Sequence, residues 1–184
     1  MKRVAVLLYP KFSNYEMSVA LSIMGQAEKP FDVFGLTLEP IKSEENIYVI
    51  PQMTLEQLQI ENYDGLLLTG AIDAEVFLED DRYLNFVKAF DSPEMIIGSI
   101  SSSTAMLARL GMLKGRKYMS GIPEEYLEEL GFEKGNWIND RNVVRDGNII
   151  TAMGFGFIEF GIEFGRALNL NFHPGWYGVD RKPE

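Results

Sequence analysis

Apolar positions along the chain fall into two alternating patterns. Val4 to Tyr9 is a continuous apolar run, the mark of a strand buried on both faces. After Ser13 the pattern changes: Met17, Ala20, Leu21, Ile23, Met24 and Ala27 recur at helical spacing. Ser13 and Glu16 stand at capping-box spacing where that helix starts. Phe31 to Leu36 reads as a second strand, and Ile41–Ser43 and Ile47–Ile50 as two short extended pieces around Glu44-Glu45-Asn46. Thr54 to Gln59 reads as a short helix, and Asp64 to Leu68 as a third buried strand. Asp80 or Asp81 opens a helix through Phe90, followed by a fourth strand over Met95–Ile100 and a helix from Ser102 to Leu110 that stops at Gly111. Pro123 to Leu130 reads as helical, with Pro123 suited to a first turn. Val143-Val144 and Ile149-Ile150 form a hairpin through Asp146-Gly147, and a last helix runs from about Phe157 to Leu168. Alternating strands and helices specify an α/β fold: a three-layer sandwich with a mostly parallel sheet and helices on both faces.

Such sheets bind ligands beyond the carboxyl ends of their strands, so chemistry is sought after Tyr9, Leu68, Ile100 and Ala152. The sharpest candidate is Ser101, where a buried strand passes into a helix through Ser101-Ser102-Ser103 with almost no loop. A side chain on such a turn is presented at the top of the sheet, as on a nucleophile elbow, although the formal G-x-S-x-G motif is absent. The plainer role of Ser102 or Ser103 is to cap the helix. Glu16, in the first turn of the first helix, either closes a capping box or points across the sheet end towards Ser101. Thr69-Gly70-Ala71 offers backbone N–H groups, with that of Ser102, as half an oxyanion hole or an anion nest; the plainer reading of the turn is a simple chain reversal. Gly154-Phe155-Gly156 is not a dinucleotide fingerprint, because the third glycine position is Glu159. Phe157, Phe160 and Phe164 have helical spacing and read as core. His173 lies in a turn-like aromatic tail, and the basic set Arg109, Lys114, Arg116 and Lys117 most simply neutralises a helix C-terminus.

Composition narrows the chemistry. At 184 residues, with 46% hydrophobic and 24% charged residues, the expectation is one domain over 1–184. A net charge of −10 argues against nucleic acid as a partner. There is no cysteine, which excludes disulfides, thiolate metal sites and a thiol nucleophile, and the single histidine leaves little for a metal cluster. The Val4–Tyr9 run is far too short for a membrane span or a signal-peptide core, so the expectation is a cytoplasmic protein with no membrane partner, metal or cofactor.

The order of these turns resembles the ThiJ/PfpI superfamily, with its flavodoxin-like, class I glutamine amidotransferase-like fold. The resemblance rests on Val4–Pro10 with Phe12 and Glu16, on Tyr63–Gly70, on Ile100–Ser103, on Leu107–Arg116 with its Leu-Gly-Met-Leu-Lys-Gly-Arg piece, and on Asp146–Ala152. It implies a cysteine at the elbow, here Ser101, a glutamate bonded to it, here Glu16, and in many members a histidine near Ser120-Gly121, where this chain has none. The second glycine of the family's usual Gly-Gly turn is Ala71. It also implies a homodimer.

Replacing the cysteine changes what the position can do. A thiol titrates near pH 8.5, and a helix N-terminus brings it into range; a serine hydroxyl needs a base poised near neutrality. Glu16, at an ordinary carboxyl pKa, is a poor match unless strongly desolvated, so a static hydrogen bond from Ser101 to an ionised Glu16 is expected. Two readings follow. One is a non-classical or pseudoenzyme member that binds a small polar molecule or has a regulatory role. The alternative is a hydrolase or amidase, acting on a small polar amide, ester or carbonyl compound through Ser101 oriented by Glu16.

Overall fold

The structure, a computed structural model, describes residues 1–179. The strands are β1 (Arg3–Leu7), β2 (Phe31–Gly35), β3 (Ile41–Lys42), β4 (Tyr48–Val49), β5 (Met53–Thr54), β6 (Tyr63–Leu68), β7 (Ile96–Ile100), β8 (Val143–Asp146) and β9 (Ile149–Ala152). Seven of them form one sheet in the order β5-β2-β1-β6-β7-β9-β8, and β3 and β4 pair separately as a small antiparallel hairpin. Within the sheet only β8 runs antiparallel, against β9. The central strands read as unbroken apolar runs because both of their faces are covered: Val4, Ala5, Val6 and Leu7 are all buried.

The helices are α1 (Asn14–Gln26), α2 (Glu75–Leu78), α3 (Asp81–Lys88), α4 (Thr104–Arg109) and α5 (Phe157–Ala167). On one face α1 packs on α5; on the other lie α2, α3 and α4. Gly161 lets α1 and α5 close up, since a Cβ there would sit 2.7 Å from Ala20 N. Opposite, Phe86 of α3 meets Phe34 of β2, and Phe77 of α2 meets Tyr9, each with ring centroids under 5 Å apart (4.9 and 4.5 Å). A register shift opposite Arg3 and Val4 leaves Asp64 as an extra residue in β6. Its carboxylate pairs with the buried Lys29 Nζ at 2.6 Å.

Two expectations change, and one element is new. Pro123–Leu130 forms only a 3₁₀ turn at Glu124–Tyr126. Its one fully buried side chain is Leu127, too little apolar surface to hold several turns of an acidic helix against the core. Thr54 ends the edge strand β5, and the helical signal after it is a 3₁₀ turn closed by a Thr54–Gln57 capping box. The short helix α2 had no sequence signal strong enough to read.

Candidate functional site

Strand β7 ends at Ile100, and Ser101–Ser103 form a 3₁₀ turn leading straight into α4. Ser101 sits there at φ +62°, a left-handed conformation that costs a side-chain-bearing residue about 1–2 kcal/mol. Neighbouring hydroxyls hold it. Ser103 Oγ donates to Ile100 O at 2.7 Å, Thr104 Oγ1 donates to Ser101 O at 2.8 Å, and Gly121 N–H reaches the same carbonyl at 3.3 Å. Ser120 Oγ lies 2.7 Å from Thr104 Oγ1. The run of serines is thus mostly backbone scaffolding, and neither Ser102 nor Ser103 caps α4 with its side chain.

Glu16 comes from the first turn of α1 and is 3% exposed. Its Oε2 accepts the Gly70 N–H at 2.7 Å, and Tyr15 OH lies 3.4 Å from Oε1. Burial pushes the carboxyl up to about 7, against the opposing pull of the bonds from Gly70, Ser101 and Tyr15 and with a further push from the Glu44 charge. The expected ionised, static partner of Ser101 is therefore a group that titrates near neutrality. The Ser101 hydroxyl lies beside it and favours its charged form.

Three glycines close the cradle. A Cβ on Gly70 would stand 2.6 Å from Glu16 Oε2 and 2.9 Å from Ser101 Oγ. One on Gly121 would stand 2.8 Å from Ser101 Cα, and one on Gly154 would stand 2.5 Å from Glu16 Oε1 and 3.3 Å from Ser101 Oγ. The segments after β1, β6, β7 and β9 do meet at one point, and a fifth, Ser120-Gly121, joins them. The sequence reading missed Gly121 and gave Gly154 no role. For Gly154 a signal existed, its place just after the last parallel strand; for Gly121 there was only the expectation of a different residue nearby.

The backbone donors expected to hold an oxyanion are mostly engaged. Gly70 N–H serves Glu16, and Ala71 N–H donates to Ser102 Oγ at 3.0 Å, which returns a bond to Ala71 O. Only the Ser102 N–H has no acceptor among the described residues.

The capping box is also absent, because Glu16 faces this site and Ser13 Oγ is buried without a hydrogen-bond partner. Glu45, from the turn between β3 and β4, caps α1 instead: its carboxylate accepts Asn14 N at 3.2 Å and Tyr15 N at 3.0 Å. Although burial opposes it, the bonds from the Ser43 side chain and the Tyr15 and Asn14 amides hold the Glu45 carboxyl below its usual range. His173 is exposed, and its N–H bonds Gln26 at the far end of α1. Ten residues of helix, about 15 Å, separate that end from Glu16. No His, Asp and Glu cluster able to hold a metal occurs among the described residues. No helix among them is long and apolar enough to cross a membrane.

A model of the DJ-1/PfpI family matches residues 2–167. An uncharacterized protein of Methanocaldococcus jannaschii is 27% identical over 172 residues, covering 92% of this chain and 83% of its own length. The isonitrile hydratase of Pseudomonas putida is 23% identical over 168 residues, 90% of this chain and 70% of that one. Among solved structures, a DJ-1 superfamily protein of Agrobacterium tumefaciens superposes with a TM-score of 0.85 at 19% identity, covering 97% of this chain and 95% of that one.

Proposed function

The chain belongs to the DJ-1/PfpI family, and from that premise we propose that it is a non-classical member binding a small polar molecule at the Ser101 turn without covalent capture. One observation carries this reading: Gly70 N–H is spent on Glu16 and Ala71 N–H on Ser102 Oγ. Acyl transfer draws much of its rate from donors already aimed at the developing oxyanion, and each one lost costs about 10²–10³ in rate. A hydroxyl with one free donor and no histidine partner is poorly equipped to attack. The same features suit recognition. Ser101 Oγ, the Ser102 N–H and a carboxyl that gives or takes a proton near pH 7 offer complementary polarity to an amide, aldehyde or short-chain acid. The three close glycines restrict the occupant to something small. That the Pseudomonas putida relative is named an isonitrile hydratase fits a small polar compound at this position.

A hydrolase or amidase is the second reading, and Glu16 favours it: at about 7 its carboxyl is poised as the base that an ordinary glutamate is not. The two part in a panel of ester and amide substrates on wild type, Ser101→Ala and Ser101→Cys, with fluorophosphonate labelling read by intact mass. The binding reading expects a silent, unlabelled wild type and turnover only in Ser101→Cys. Wild-type turnover abolished by Ser101→Ala establishes the hydrolase and overturns the binding reading.

A further inference from the structure

Far along the same sheet, the edge strand β8 borders a cavity of about 290 Å³ lined by Lys117, Ile138, Arg141, Val143, Val144 and Arg145. Three of its six lining side chains are cationic and none is acidic, in a chain whose net charge is −10. The cations arrive on two segments. Lys117 follows the loop after α4, and its backbone N–H donates to Asp146 Oδ2 at 2.9 Å, which draws the segment against β8. Arg141 precedes β8 and Arg145 lies within it.

Both arginines have carboxylate partners, but only solvent-accessible ones, and the lysine has none among the described residues. Arg141 meets only the adjacent Asp140, and both side chains are well exposed, a pairing worth little in water. Arg145 bonds Glu163 of α5 at 3.1 Å and Gly147 O at 3.0 Å, and both carboxylate and guanidinium of that pair are partly exposed. The Lys117 ammonium makes no ion pair among the described residues. The unpaired Lys117 charge, with two guanidinium charges only partly offset by exposed carboxylates, favours a ligand of opposite sign.

We propose that this cavity binds the phosphate group of a small phosphorylated molecule. Guanidinium forks match phosphate oxygens two at a time, and Lys117 adds a point charge. The volume sits at the lower end of small-ligand sites, which fits a compact headgroup rather than a macromolecular surface. Ile138, Val143 and Val144 give the cavity an apolar lining beside its charged groups.

The test is an amide-resolved NMR titration of the ¹⁵N-labelled chain with pyrophosphate at low ionic strength, with a parallel titration using malonate. Saturable shifts at Lys117, Arg141 and Val143–Arg145 are expected from pyrophosphate and weaken on adding salt. The double variant Lys117→Gln with Arg141→Gln lowers affinity by about tenfold or more while the rest of its spectrum overlays wild type. Should the double variant fold poorly, Arg141→Gln alone, at an exposed side chain, reads the same loss on a smaller scale. The proposal is overturned by an absence of saturable shifts at these amides, by unchanged binding in the variants, or by malonate binding there while pyrophosphate is silent.

Discussion

Ser101 carries a hydroxyl in a backbone conformation that glycine adopts without strain. Ser101→Gly removes strain of about 1–2 kcal/mol but adds about 0.5–1 kcal/mol of unfolded-chain entropy. Ser101→Ala keeps the strain and loses the hydroxyl. Ser101→Gly is therefore expected to be the more stable of the two by about 0.5–1 kcal/mol, measured by urea denaturation at one pH. Glu16 makes a second prediction. Its folded value of about 7 exceeds the ordinary 4.5, so the folded state holds more protons between those values and stability falls as pH rises through the window. The contribution is complete below about 4.5 and lost above about 7; a shift of this size is worth about 3 kcal/mol. Glu16→Gln, which cannot ionise, should flatten that slope between pH 5 and pH 8, and an unchanged slope would place the titration elsewhere.

At the scale of elements, α1 is capped by a residue more than thirty positions away in sequence-spacing terms, Glu45 bonding Asn14 N across 31 residues. Glu45→Ala frees two first-turn N–H groups and is expected to cost about 1 kcal/mol, whereas Ser13→Ala removes a buried hydroxyl without a partner and should be neutral or slightly stabilising. Chemical denaturation of the pair decides it; a larger loss for Ser13→Ala would restore the local cap. This contrast shows where the sequence was legible. Buried strands, the Ser101 turn and the candidacy of Glu16 come from local periodicity and from the rule that ligands gather at strand ends. Of the two readings of Glu16, the capping box fails although Ser13 and Glu16 have the right spacing, because spacing carries no information about a competing carboxylate on a distant hairpin. Gly121 was invisible for the same reason: its role is a close approach to Ser101 Cα, a property of the folded arrangement. The pKa of Glu16 could be stated only conditionally until its burial was known.

Across the whole molecule, packing between the two helices of one face fixes where Glu16 sits. Gly161→Ala places a methyl 2.7 Å from Ala20 N and from Val19 Cγ1, so α1 must move away from α5. A loss of about 1–3 kcal/mol is expected, together with a Glu16 carboxyl returned towards ordinary values as its shelter opens. Urea denaturation and carboxyl ¹³C NMR measure the two effects, and a destabilised variant with an unmoved carboxyl would uncouple the helix contact from the site.

Five stretches of chain, from Glu16 to Gly154, meet around one hydroxyl, and four of them follow the adjacent strands β1, β6, β7 and β9. Any ligand held there binds only once those four strands are assembled, so its affinity adds to the stability of the fold's centre by mass action: about 2.7 kcal/mol at a hundredfold excess over Kd. A melting-temperature screen of plain small molecules thus becomes a search engine for the natural occupant, and Gly121→Ala, which crowds Ser101 Cα, supplies its blank.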